Sequence, residues 1–142
     1  MLSLKARLTL ITGTVGGYIL TVLLGDWTPS LTTLVIFMAI DFLSGLSVAG
    51  FFKKSPKTET GGLESKTGRK GLVRKIMTFV YVLIGNQLDL LMASDYIKNA
   101  ICVAFIINEL ISITENAGLM GVPMPKIITQ AIDLLKRKEE ES

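Results

Sequence analysis

Hydrophobic positions in this chain gather into long unbroken runs rather than the short alternations of a soluble domain. The longest, Leu31 to Phe52, reads LTTLVIFMAIDFLSGLSVAGFF and carries one charge, Asp41, near its middle. As a helix it extends ~33 Å, enough to cross the hydrocarbon core of a bilayer. Twelve of its residues are Leu, Ile, Val or Phe. Each of these contributes roughly −0.3 to −0.6 kcal/mol on an insertion scale, against about +2.5 to +3.5 for the aspartate. The balance favours insertion, with the carboxyl carried into the membrane. An ionisable group at that depth faces protein or water rather than lipid, so the remaining elements matter first for what they bring to Asp41.

Three further runs follow the same pattern. Leu8 to Leu24 holds seventeen residues without a charge and is preceded by Lys5 and Arg7. No small-x-small cleavage site follows it, so it reads as a first membrane helix and not as a signal peptide. Along it Thr9, Gly13, Gly17, Thr21 and Gly25 recur every fourth residue and share one narrow face. Gly13 and Gly17 form a GxxxG pair, which suits either packing within the chain or association between copies. Asp26 to Ser30 makes a polar turn in which Pro29 bars helix continuation and Trp27 suits the interface. In the second span Gly45 and Ala49 form another small-residue pair, with Ser44 beside the Asp41 face. A third run, 72–92, carries Asn86, Gln87 and Asp89 towards its far end; a fourth, 96–114, carries Lys98, Asn108, Glu109 and Ser112. The expected spans are therefore about 8–25, 31–52, 72–92 and 96–114 within a single membrane domain. The last two are the least apolar, and a three-crossing arrangement is the alternative.

Charge distribution argues for four. Residues 53–75 hold eight of the fifteen Lys and Arg, the N-terminus two, and the region from Lys126 onward four. Four crossings put all three groups on one side, which the positive-inside rule identifies as cytoplasmic, with both termini inside. Only Lys98 falls elsewhere. Pro56 and Gly61-Gly62 punctuate the basic stretch as a loop, 53–71. Such a basic run could bind nucleic acid or anionic lipid headgroups, but it has no interleaved aromatic residues and lies between two spans, so its simplest role is topogenic. Gly118, Gly121, Pro123 and Pro125 end the fourth helix. Beyond them 125–138 has helical period, with Ile127, Ile128, Ala131, Ile132 and Leu135 opposite Gln130, Asp133, Lys136 and Arg137. This is an amphipathic helix suited to the inner leaflet or to pairing with a copy of itself.

Composition narrows the chemistry. The chain has no histidine and one cysteine, Cys102, set in an apolar run, so it has neither a disulfide framework nor the commonest general base. No nucleophile–base pair, metal-ligand cluster or phosphate loop stands out, and neither catalysis nor a cofactor is expected. What remains is a set of polar groups at membrane depth: Asp41, Asp89, Asn108 and Glu109, with Ser44, Ser47 and Ser112. These serve as hydrogen-bonded contacts between helices, as the lining of a water-filled pore, or as an ion or proton relay. One form of switch has Asp41 packed and protonated in a closed assembly, then solvated and ionised in an open one.

Three segments together resemble the toxin-secretion and phage-lysis holins, small membrane proteins of Gram-positive bacteria and their phages. They are Asp41-x-x-Ser44-Gly45, the Gly71-Leu-Val-Arg-Lys75 start of the third span with Asp89 beyond it, and Asn108-Glu109 through Ser112 and Glu115-Asn116 to Gly121-Val-Pro123-Met-Pro125. The resemblance covers about residues 30–135. It implies an all-α polytopic protein of the cytoplasmic membrane, four transmembrane helices plus the amphipathic one, whose partners are the lipid bilayer and further copies of itself. It also implies a functional link to an endolysin or toxin released when the membrane is permeabilised. Carried over, Asp41, Gly45, Asn108, Glu109, Glu115 and Asn116 are the positions expected to shape the assembly.

Overall fold

The computed structural model describes residues 1–141. In chain order it contains α1 Leu4–Leu24, α2 Pro29–Gly50, α3 Ser65–Met92, α4 Ile97–Leu119 and α5 Lys126–Glu141. The protein is thus all-α, and α1 to α4 are each long and apolar enough to cross a membrane.

Local chemistry sets the helix starts. The Ser3 hydroxyl accepts from the Ala6 amide at 3.2 Å to cap α1, and Thr28 Oγ1 accepts from the Leu31 amide at 3.3 Å to cap α2. Pro29 occupies the first turn of α2, where its missing N–H costs nothing. Gly25, at φ +76°, turns the chain between them. A side chain there would collide with the Asn86 amide, so glycine serves both backbone and packing.

Two helices run further than the hydrophobic pattern suggests. α3 begins at Ser65, seven residues before the apolar run, because Lys66, Arg69 and Lys70 form helix readily while adding nothing to hydropathy. α4 continues past Thr114 to Leu119, which takes Glu115 and Asn116 into the helix instead of the following turn.

α4 is the hub, packing against α2, α3 and α5, while α1 rests on α3. The core is built from Leu24, Leu31, Leu34, Met38, Val82, Cys102 and Ile106. Along α2, Leu31, Leu34 and Met38 are buried; along α3, Thr78, Val82, Gly85 and Asp89 are. Both sets advance by alternating steps of three and four, the spacing of helices packed at a shallow angle. At Gly85 a methyl group would sit 2.7 Å from Ile101 Cδ1 and 3.1 Å from Lys98 Cα, so glycine permits the close approach of α3 and α4.

α1 stands apart. Leu24 is its one buried residue, and a methyl group added at Gly13, Gly16 or Gly17 would meet nothing within 4 Å. Gly13 and Gly17 are therefore not used for packing within the chain, whereas Gly25 at the end of the stripe is. α5 turns back onto α4, burying Ile132 and seating Leu135 against the core.

Candidate functional site

Asp41 is the thirteenth residue of α2 and Glu109 the thirteenth of α4. These helices start on the same side of the bundle, since α3 runs back between them, so the two carboxyls reach the same depth. Lys75 of α3 lies between them. Its Nζ is 2.8 Å from Asp41 Oδ2 and 2.9 Å from Glu109 Oε2, and all three side chains are at least four-fifths buried, 17% exposed for the lysine and 12% for each acid.

The rest of the cluster converges on Asp41. Ser112 Oγ donates to its Oδ1 at 2.6 Å. Asn116 Nδ2 lies within reach of the same oxygen at 3.2 Å, the Asp41 carbonyl at 3.3 Å and Ser44 Oγ at 2.9 Å. Ser44 Oγ in turn donates to the Asp41 carbonyl at 3.0 Å. The Asp41 carboxylate thus faces three donor groups, whereas Lys75 is the donor to Glu109. Buried charge is tolerable only when paired and hydrogen-bonded in this way. Lys75 stands beside Asp41 as a potential counter-charge, 2.8 Å from its Oδ2.

Lys75 is not among the site residues the sequence suggests; it counts both in the basic 53–75 stretch and at the start of the expected third span. A signal was present. Lys75 falls three residues before Thr78 and so continues the Thr78, Val82, Gly85, Asp89 stripe that faces inward. Its long stem lets the ammonium reach past the helix surface to the two acids.

The other residues singled out by sequence divide into groups. A methyl at Gly45 would be in ordinary contact, 3.8 Å from Asn116 Nδ2, and Ala49, one turn further along α2, is buried and lines the cavity. Asn108 borders the cluster's cavity but is exposed, and Glu115 is exposed as well. Asp89 belongs to a separate constellation at the opposite end of the bundle. Its Oδ1 accepts from Ser94 Oγ at 2.7 Å and the Ile97 amide at 3.0 Å, and its Oδ2 from the Lys98 amide at 2.9 Å. An α3 carboxylate therefore caps the N-terminus of α4, which has no cap of its own side chain. Nearby, Lys98 Nζ donates to the Asp26 carbonyl at 2.6 Å and Asn86 Nδ2 to the Leu23 carbonyl at 3.3 Å, tying the α1–α2 turn to the bundle.

The Asp41 cluster floors a cavity of about 510 Å³ walled by α2, α3, α4 and the 51–64 loop. Among the described residues no group of His, Cys, Asp and Glu is arranged to hold a metal ion.

Four helices able to cross a membrane, three of them joined by an internal charge cluster, define a small polytopic membrane protein. The chain belongs to the bacteriophage holin family, whose sequence profile matches residues 18–137. A protein of Bacillus phage phi105 named as a probable holin is 30% identical over 112 residues, 78% of this chain and 77% of its own. An uncharacterised protein of Halalkalibacterium halodurans is 39% identical over 125 residues, covering 84% of this chain and 87% of the relative. One from Listeria monocytogenes is 32% identical over 130 residues, covering 91% and 84%. No solved structure gives a significant match.

Proposed function

We propose that this protein forms homo-oligomers in the cytoplasmic membrane and permeabilises it, releasing a cell-wall hydrolase or a large toxin. The observation that carries the reading is the Asp41–Lys75–Glu109 cluster inside a bundle of membrane-length helices. Such groups are costly in hydrocarbon and cluster where water or a partner is to meet them. Here they lie at the floor of a cavity that already reaches them from one face. Membership of the holin family supports the same direction.

In this mechanism the cluster holds α2, α3 and α4 together in the closed protomer. The open Gly13 and Gly17 face of α1 gathers copies. When protomers rearrange, the paired charges exchange their internal partners for water and become pore lining. Both termini and the 51–64 loop face the cytoplasm in this arrangement, following the distribution of lysine and arginine.

The test is induction of the gene with simultaneous recording of membrane potential, dye uptake and release of a co-expressed hydrolase. A silent interval followed by abrupt uptake and release is expected. Steady ion flux without passage of macromolecules points instead to a narrow selective channel. Undisturbed potential at full expression points to a non-conducting anchor, and either outcome rejects the proposal.

A further inference from the structure

The cavity above the charge cluster has a second character at its mouth. Lys57 from the loop and Lys70 and Arg74 from α3 line it, and none of the three makes an ion pair among the described residues. The nearest acid of the loop, Glu64, is already engaged, accepting from the Thr67 hydroxyl at 3.2 Å and the Glu59 amide at 3.3 Å. Apolar side chains, among them Phe42, Leu46 and Leu63, line part of the cavity wall between this rim and the polar floor. A pocket with a cationic rim and greasy walls fits an amphiphile with an anionic head.

Depth identifies the amphiphile. Arg74 and Lys70 precede Met92, the last residue of α3, by eighteen and twenty-two positions. Along a helix these are ~27 and ~33 Å, which bracket the thickness of a bilayer's hydrocarbon core. Both cations therefore stand at the phosphate plane of the leaflet on the loop side. On the neighbouring face of the same helix, Lys66 and Arg69 join Lys70 and Arg74 around a shallower groove, so positive potential extends around this end of α3. Basic pockets between membrane helices are recurrent sites for anionic headgroups.

We propose that the cavity between α2, α3, α4 and the 51–64 loop binds the headgroup of an anionic phospholipid, its phosphate held by Lys57, Lys70 and Arg74. Lys75 takes no part in this, being held by Asp41 and Glu109 at the cavity floor. Those two acids set a negative floor beneath a positive rim, so the phosphate stays at the mouth. Thr58 lines the same cavity with a buried hydroxyl that has no hydrogen-bond partner among the described residues. Rotation about its Cα–Cβ bond offers that hydroxyl a phosphate oxygen. The bound lipid would bridge the loop to α3 and steady the cover over the charge cluster.

Native mass spectrometry of the full chain in a mild detergent tests this, with dioleoyl phosphatidylglycerol and dioleoyl phosphatidylcholine as probes and glycerol 3-phosphate as the headgroup alone. Retention of phosphatidylglycerol over phosphatidylcholine is expected. Lys70→Gln combined with Arg74→Gln should weaken it about 30-fold, given ~1 kcal/mol per basic residue at the phosphate plane. Lys136→Gln with Lys138→Gln, which removes equal charge from α5, should leave retention unchanged. Equal retention of both lipids, or equal loss in the α5 variant, would overturn the site. Displacement of lipid by glycerol 3-phosphate at matched concentration would assign the pocket to a soluble phosphate ester and overturn the lipid assignment. The readout does not depend on pore formation, so a protein that proves non-conducting can still pass it.

Discussion

Asp41 on α2 and Lys75 on α3 meet at 2.8 Å across thirty-four residues of sequence. Lys75 also reaches Glu109 on α4, so one ammonium joins three helices.

Lys75→Gln leaves two carboxyls facing each other in a largely buried site with no cation between them. Loss of one partner of a buried pair costs roughly 3–5 kcal/mol. Thermal unfolding in detergent should show a clear drop, and Asp41→Asn introduced into the same chain should recover part of it. No drop in Lys75→Gln, or no recovery in the double variant, would mean that the cluster does not hold the helices together. In cells the single variant is expected to shift the onset of membrane leakage.

Asn116 and Glu115 are adjacent in sequence yet differ in what they touch. The Asn116 amide spans the gap from α4 to Asp41 and Ser44 on α2, whereas Glu115 is exposed. Interhelical hydrogen bonds of this sort are worth about 0.6–2 kcal/mol in membrane proteins. Asn116→Ala should therefore lower the unfolding temperature while Glu115→Gln leaves it in place. Equal effects would contradict the separation.

Gly13 and Gly17 have open space above them in the protomer. Replacing both with leucine should leave the stability of the monomer unchanged and reduce crosslinking between copies, with leakage delayed or abolished. A variant that crosslinks as well as the parent would exclude this face from self-association.

The position of α5 carries its own prediction. Leu135, the tenth residue of the helix, packs against the bundle core, so the charged residues 136–141 that follow lie beside membrane-spanning segments. Charged groups cost about +2.5 to +3.5 kcal/mol each at the centre of the hydrocarbon, more than seating Ile132 and Leu135 can offset at ~1.5–3 kcal/mol apiece. In a bilayer α5 should therefore leave α4 and lie along the interface with its apolar face down. A cysteine at Lys138 in reconstituted vesicles should react quickly with a membrane-impermeant maleimide once the side it faces is accessible. Protection from both sides would show α5 still docked on α4.

Residue order alone reveals the class of protein, because long apolar runs and segregated charge follow from the bilayer's refusal of unpaired polarity, which acts on every residue independently. It also marked Asp41, Ser44, Glu109 and Ser112 as polar groups at membrane depth. What it left undecided was partnership. Lys75 looked like one more basic residue at the start of the third span because hydropathy averages over a window, while its role depends on one long side chain pointing inward from the α3 stripe. Asp89 looked equivalent to Asp41, yet packing places it over the free amides of α4 and far from the other acids. The Gly13 and Gly17 pair of α1 allowed two uses until the bundle closed without it. Periodicity reports which face of a helix is turned inward; only the assembled helices decide which residue stands opposite, because that depends on crossing and register between segments far apart in the chain.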